Sequence, residues 1–112
     1  HLESIVVFCG ALIGEALLYA YQTAALFMSA SETGSLDKVV LEALACETPV
    51  LATGTVYASW PGVCVSRLDS SAVATTLKYL NAPINVPAGR EAVRERADLR
   101  HLIRQIESAL FA

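Results

Sequence analysis

The sequence predicts an α/β fold in which a parallel sheet of about four strands is flanked by helices. Its apolar runs are continuous and rich in β-branched residues, a pattern typical of strands that are buried on both faces of a parallel sheet. Segments of helical periodicity separate these runs, so strands and helices alternate along the chain. A length of 112 residues is enough for one small core, and we predict a single domain over residues 1–112.

The first half of the chain is predicted to contain two strands and one helix. The run "SIVVFCGAL", residues 4–12, is β-branched and apolar, which favours a buried strand. A helix is expected from about Gly14 to Ala24, and "ALFMSAS", residues 25–31, is predicted as the second buried strand.

The second half begins with a turn, "SETG", and a helix predicted from Leu36 to Cys46. Pro49 then starts a third strand, "PVLATG". The remaining predicted elements are a short fourth strand "GVCVS", a helix through "AVATTLKYL" capped by Ser70 or Ser71, a loop "NAPINVPAG" and a long terminal helix from Arg90 to Leu110.

The terminal helix carries an apolar stripe. Five residues recur at helical spacing, namely Leu99, Leu102, Ile103, Ile106 and Leu110. We expect this stripe to pack into the core, and a docking surface is the less favoured alternative.

Composition limits the classes of partner. Apolar residues make up 54% of the chain and charged residues 17%, against a usual charged share of about 25%, so the chain has more apolar surface than its size covers easily. The net charge is −3, and the arginines of the terminal helix alternate with acidic residues. Both observations argue against a nucleic acid partner.

The cysteines Cys9, Cys46 and Cys64 are odd in number, far apart and flanked by apolar residues. This pattern is typical of reduced, buried thiols, and we expect a cytoplasmic protein. With no CxxC pair and only two histidines, His1 and His101, we expect no metal site and no cofactor.

A membrane span is an alternative for residues 5–30, in which Glu15 is the only charged residue. The segment starts as a strand, becomes helical and returns to a strand, so its periodicity changes within the run. We therefore expect no transmembrane span.

The segment "SASETGSLDK" follows the second predicted strand and leads into a helix, where open α/β sheets bind ligands. Gly34 lets the backbone approach a ligand closely, and Ser35 can cap the helix. The N–H groups of Ser35, Leu36 and Asp37 are then candidates for holding a phosphate.

Ser35, Lys38 and Glu42 lie at i, i+3 and i+7, on one helix face, while Val40, Leu41 and Leu44 point towards the sheet. The Glu42 carboxylate can accept two hydrogen bonds from a ribose diol, and Lys38 can neutralise a phosphate. The alternative is a solvated Lys38–Glu42 pair at i, i+4, which the residues alone favour.

The string "SETGSLDKVVLEALACETPVLAT" resembles the signature of the retaining, nucleotide-sugar-dependent glycosyltransferases of GT-B fold, known as group 1 or family 4. In that family the helix runs roughly V-x-L-E-A-M-A-x-G-x-P-V-V-A. The runs "VVFCGAL" and "LLYAYQTAALFMSAS" are similar to the family's preceding strands, and "GREAVRERADLRHLIRQIESAL" is similar to the closing helices of its donor-binding lobe.

The resemblance assigns roles to single residues. It matches Glu42 to the second Glu of an E-x7-E motif, which holds the donor ribose, and Gly34, Ser35 and Leu36 to the segment that contacts the diphosphate and sugar. Gly34 also stands where the family has its first Glu, and Glu32, two residues earlier, is a candidate for the donor sugar only if the loop is rearranged. Glu47 replaces a helix-ending Gly, at a cost on the order of 1 kcal/mol if the site needs left-handed backbone geometry.

The resemblance also implies a Rossmann-like sheet that is partial, since the first two strands of the family's donor lobe, the basic pair and the acceptor lobe have no counterpart in the sequence. We therefore expect a fragment or truncated product that binds a UDP- or GDP-type donor, has no transferase activity alone and contains no general base. We expect it to associate with the missing lobe or with another copy as a homo-oligomer. The alternative is a non-catalytic α/β module for protein interaction, with a solvated Glu42.

Overall fold

The computed structural model describes residues 2–67 and 69–111, and it has an α/β architecture with helices around a small parallel sheet. The three strands are β1 (Phe27–Ser29), β2 (Val50–Ala52) and β3 (Val63–Val65). The five helices are α1 (Gly14–Thr23), α2 (Lys38–Ala45), α3 (Ala72–Asn81), α4 (Val86–Ala97) and α5 (Leu99–Phe111), with short 3-10 turns at Leu2–Ser4 and Thr55–Tyr57. The predicted fold class is confirmed.

The sheet is open and parallel, in the order β1-β2-β3. Phe27 is in register with Val50, which is in register with Val63. All three residues of the central strand β2 are buried, as expected for a strand paired on both edges and covered on both faces.

Residues 4–12 were predicted as a strand, and this prediction is wrong. Beyond the 3-10 turn, this segment has no regular structure, and the side chains of Ile5, Val7 and Phe8 are 76%, 79% and 95% exposed. A strand requires a neighbour to receive its hydrogen bonds. Within the described residues β1 pairs only with β2, so no ladder forms for residues 4–12 despite their β propensity.

The core lies between α2, the sheet and α4. Val40 and Leu44 are buried as predicted, with Ala43 between them, whereas Leu41 is half-buried. Helix α4 approaches closely, since a β-carbon added at Gly89 would stand 2.9 Å from the carbonyl oxygen of Pro61. The small residue at this contact therefore lets α4 pack directly against the chain that leads into β3.

Two boundaries in the C-terminal third differ from the prediction. Helix α4 already begins at Val86, inside the predicted loop, because the Asn85 side chain accepts the Ala88 N–H at 3.1 Å. The predicted single terminal helix breaks at Asp98, whose backbone is extended and whose carboxylate accepts the Arg100 N–H at 2.7 Å. Asp98 thus ends one helix and caps the next.

The apolar stripe of α5 does not pack into the core, contrary to expectation. Its five members are 45–69% exposed, from Ile103 to Leu110. Once the chain turns at Asp98, α5 contacts mainly its neighbour α4. The stripe therefore faces solvent.

The three cysteines are free thiols, but they are not uniformly buried. Cys9 is exposed because residues 4–12 do not join the sheet, while Cys46 and Cys64 are half-buried. Among residues 2–67 and 69–111, no helix combines the length and apolar character that a membrane crossing requires.

Candidate functional site

A polar cleft lies at the carboxyl edge of the sheet. Two adjoining depressions, of about 240 and 230 Å³, share Glu32 and Thr53. The first is also lined by Ala30, Arg67 and Asp69, and the second by Gly34, Gly54 and Thr55. Because parallel strands end at the same edge, residues following β1, β2 and β3 meet here.

The cleft offers carboxylate, hydroxyl and guanidinium groups. The Thr53 hydroxyl donates to the Ser31 carbonyl at 3.1 Å, and the Thr53 N–H donates to the Ser29 carbonyl at 3.1 Å. These two hydrogen bonds fix Thr53 at the carboxyl edge of the sheet. The Arg67 guanidinium lies 4.0 Å from the Asp69 carboxylate and is almost fully exposed. Such a set can hydrogen-bond to a polyhydroxylated ligand.

The loop after β1 has the open backbone predicted for it. Gly34 has a φ of 74°, and no atom lies within 4 Å of the position that a β-carbon would take. A ligand can therefore approach this peptide without meeting a side chain.

The predicted phosphate donors are partly engaged within the protein. The Ser35 N–H donates to the Thr33 hydroxyl at 3.4 Å, and the Asp37 N–H donates to the hydroxyl of the buried Tyr57 at 2.5 Å. Leu36, between them, has a side chain that is 41% exposed.

Helix α2 begins two residues later than predicted, at Lys38 in place of Leu36. Its first residue is Lys38 and its cap is Asp37, so Ser35 lies in the preceding loop and does not cap the helix. Of the predicted polar face, Lys38 and Glu42 are on the helix.

Glu42 is half-buried, and both of its carboxylate oxygens have partners. Oε1 is 3.4 Å from the Lys38 ammonium, so the predicted i, i+4 pair is present. Oε2 accepts a hydrogen bond of 3.0 Å from the Tyr21 hydroxyl, a contact that the sequence did not predict. Glu42 is thus more than a solvated surface carboxylate.

Tyr21 is a buried residue, and burial raises the pKa of its phenol to about 12, with the neighbouring Glu42 carboxylate adding to this increase. Its hydroxyl therefore remains a proton donor at neutral pH.

The structure sorts the predicted residues into two groups. Glu32 and Gly34 line the cleft, while Lys38 and Glu42 form a cluster with Tyr21. Thr53 and Arg67 were missed, although Thr53 lies near the end of the third predicted strand and Arg67 directly follows the fourth, where the strand-end rule applied to residues 31–38 also holds. Tyr21 gave no signal, since it lies 21 residues from its partner in an apolar run.

The chain was compared with known proteins. The sequence model of the family described as "Glycosyl transferases group 1" matches residues 1–82. Neither the curated proteins nor the solved structures gave a match.

Proposed function

We propose that this chain, which belongs to the group 1 glycosyl transferases, binds a nucleotide-diphosphate sugar of UDP or GDP type and takes part in sugar transfer with retention. The observation that carries the proposal is the polar cleft where the three parallel strands end, since α/β sheets bind ligands at this edge. The family match agrees with it and spans both the cleft and helix α2.

In this proposal each predicted residue has one role. Glu42 holds the ribose diol, the N–H groups of Ser35 and Leu36 contact the diphosphate past the open Gly34, and Lys38 adds a positive charge. The role of Glu32 at the donor sugar is supported by its place in the cleft with the hydroxyl groups of two threonines, Thr53 and Thr55.

Catalysis in the assembled enzyme rests on positioning and on stabilisation of the leaving diphosphate by N–H groups and cations. No residue of this chain acts as general base in the proposal. Residues 1–112 alone do not catalyse transfer, because the resemblance implies a basic pair and an acceptor-binding surface that these residues do not supply.

We further propose that the chain associates through its exposed apolar surfaces. Residues 5–8 and the stripe of α5 present more apolar side chains than a separate domain of this size ordinarily leaves in water. The partner is an acceptor-binding lobe or a second copy of the chain. A strictly monomeric chain in light scattering at all concentrations excludes the second copy.

The nucleotide proposal is tested by titrating the isotope-labelled chain with UDP and with GDP and following the backbone amide signals by NMR. We expect the signals of residues 32–42 and 53–55 to shift with one nucleotide, and the shifts to be lost in Glu42→Ala. Glu15→Ala removes an exposed carboxylate on α1 and serves as the matched control. If no signal moves at millimolar nucleotide, the proposed function is wrong.

A further inference from the structure

The two oxygens of the Glu42 carboxylate are held in different ways. Oε1 contacts the ammonium of Lys38, whose side chain is 88% exposed, whereas Oε2 accepts from Tyr21, a residue only 7% exposed. An exposed ion pair is weak and easily exchanged. A hydrogen bond from a buried donor to a charged acceptor is stronger.

Tyr21 is itself fixed on both its backbone and its ring. Its carbonyl accepts the hydroxyl of Thr48 at 2.6 Å, and Thr48 is only 2% exposed. Its ring meets the ring of Phe27 edge-on, with the centroids 5.6 Å apart, which ties α1 to strand β1. The hydroxyl therefore reaches Glu42 from a rigid support, and its direction is set before any ligand arrives.

We propose that Tyr21 is a positioning residue, whose hydroxyl holds Oε2 of Glu42 and so orients the carboxylate towards a vicinal diol. When the diol binds, Lys38 moves away from Oε1, which then accepts a hydrogen bond from the diol. The ligand class is a nucleotide with free 2′ and 3′ hydroxyl groups. This inference rests on the proposed function and adds to it the residue that orients the carboxylate and the order in which its partners exchange.

This arrangement favours ligands with a vicinal diol although Tyr21 itself does not contact the ligand. A carboxylate already held in one rotamer loses less side-chain entropy when the diol binds, so the preference for the diol depends on the Tyr21 hydroxyl. Oε2 keeps a second lone pair after accepting from Tyr21, so both oxygens remain able to accept from the two hydroxyl groups. Lys38, once released, is free to approach the diphosphate of the same ligand.

The test compares Tyr21→Phe with wild type, since this change removes the hydroxyl and keeps the ring that packs on Phe27. Dissociation constants are measured by NMR titration for the nucleoside diphosphate that binds and for its 2′,3′-dideoxy analogue. We expect Tyr21→Phe to weaken the ribonucleotide about tenfold and to leave the dideoxy analogue unchanged. Tyr19→Phe changes an exposed tyrosine on the same helix and should bind both ligands as wild type does.

The outcomes separate the two proposals. If wild type binds no nucleotide, or if Glu42→Ala retains the preference for the diol, both the proposed function and this inference are wrong. If Glu42→Ala loses that preference and Tyr21→Phe keeps it, only the inference is wrong. Equal weakening of both ligands by Tyr21→Phe also overturns the inference, because that result indicates a merely structural role.

A measurement on wild type covers the case in which Tyr21→Phe does not fold. During titration with the ribonucleotide, the ring-carbon signal beside the Tyr21 hydroxyl should stay in place, while the terminal side-chain signal of Lys38 should move. A Tyr21 signal that moves to the position of a free phenol contradicts the proposal.

Discussion

The packed middle of the chain, residues 14–97, and its two ends use the same kinds of apolar residue with opposite results. Leu44 in α2 is 1% exposed, whereas Phe8 near the start is 95% exposed and Ile106 in α5 is 48% exposed. The middle contains a strand paired on both edges and helices that cover it. The ends have similar residues, but among the described residues no other element covers their apolar side chains. Whether another element packs against a side chain therefore decides its burial more than its residue type does.

The largest expected effect comes from one truncation in each region. Leu44→Ala leaves a cavity between α2 and Gly62, so we expect a loss of about 2–5 kcal/mol in the free energy of unfolding. Ile106→Ala removes an exposed side chain, and we expect a change within about 0.5 kcal/mol. Both values come from chemical denaturation at a low protein concentration. Equal losses would mean that α5 is packed as tightly as the middle.

Alkaline pH should weaken the middle selectively, because burial raises the pKa of three of its tyrosines, Tyr21, Tyr57 and Tyr79. Burial is the main cause that raises the pKa of Tyr21 and of Tyr79 from 10.0 to about 12. Their contribution to stability is complete below pH 10 and is lost as the pH rises towards 12, because the unfolded chain ionises first. We expect a loss on the order of 1–2 kcal/mol in the free energy of unfolding over this range, which chemical denaturation at several pH values measures.

The matched variant for this prediction is Tyr21→Phe. It should flatten the decrease between pH 10 and 12, and Tyr57 and Tyr79 should account for the remainder. An unchanged slope in the variant contradicts the assignment to Tyr21.

The smallest expected effect concerns the turn between α2 and β2. Glu47 has a φ of 59°, so this position does have left-handed backbone geometry, the condition under which a residue other than Gly is strained there. Glu47→Gly relieves about 1 kcal/mol of strain and loses a weak ion pair with Arg90, in which the charged atoms are 3.7 Å apart. We expect a net gain of about 0.5 kcal/mol in thermal or chemical denaturation. Glu47→Ala loses the pair but keeps the strain, so it should gain nothing.

The sequence predicted the three strands of the described residues because each is a short apolar run bounded by turn residues. It failed at residues 4–12, since composition reports the propensity to extend and not the availability of a neighbouring strand. The prediction also ran a single helix through Asp98, although Asp is a favoured N-cap residue and its presence indicated a helix boundary. Local chemistry explains the second error, whereas only the tertiary structure explains the first.

The candidate site was predictable in part for a similar reason. Glu42 and Gly34 were proposed from spacing and from the resemblance, which both use a single segment of the sequence. Tyr21 comes from another helix, and no spacing in the sequence indicates that its hydroxyl reaches Glu42. A contact between side chains of different elements, such as this one, is not visible in the spacing of the sequence.

The exposed thiol of Cys9 makes the segment around it a chemical reporter. A short treatment with an alkylating reagent should modify Cys9 well before the half-buried Cys46 and Cys64, because the reagent reaches it without any opening of the fold. The rate of that reaction then gives the accessibility of residues 5–12 in any preparation. A slower rate in a larger assembly would locate a partner over this segment, with no substitution needed in the protein.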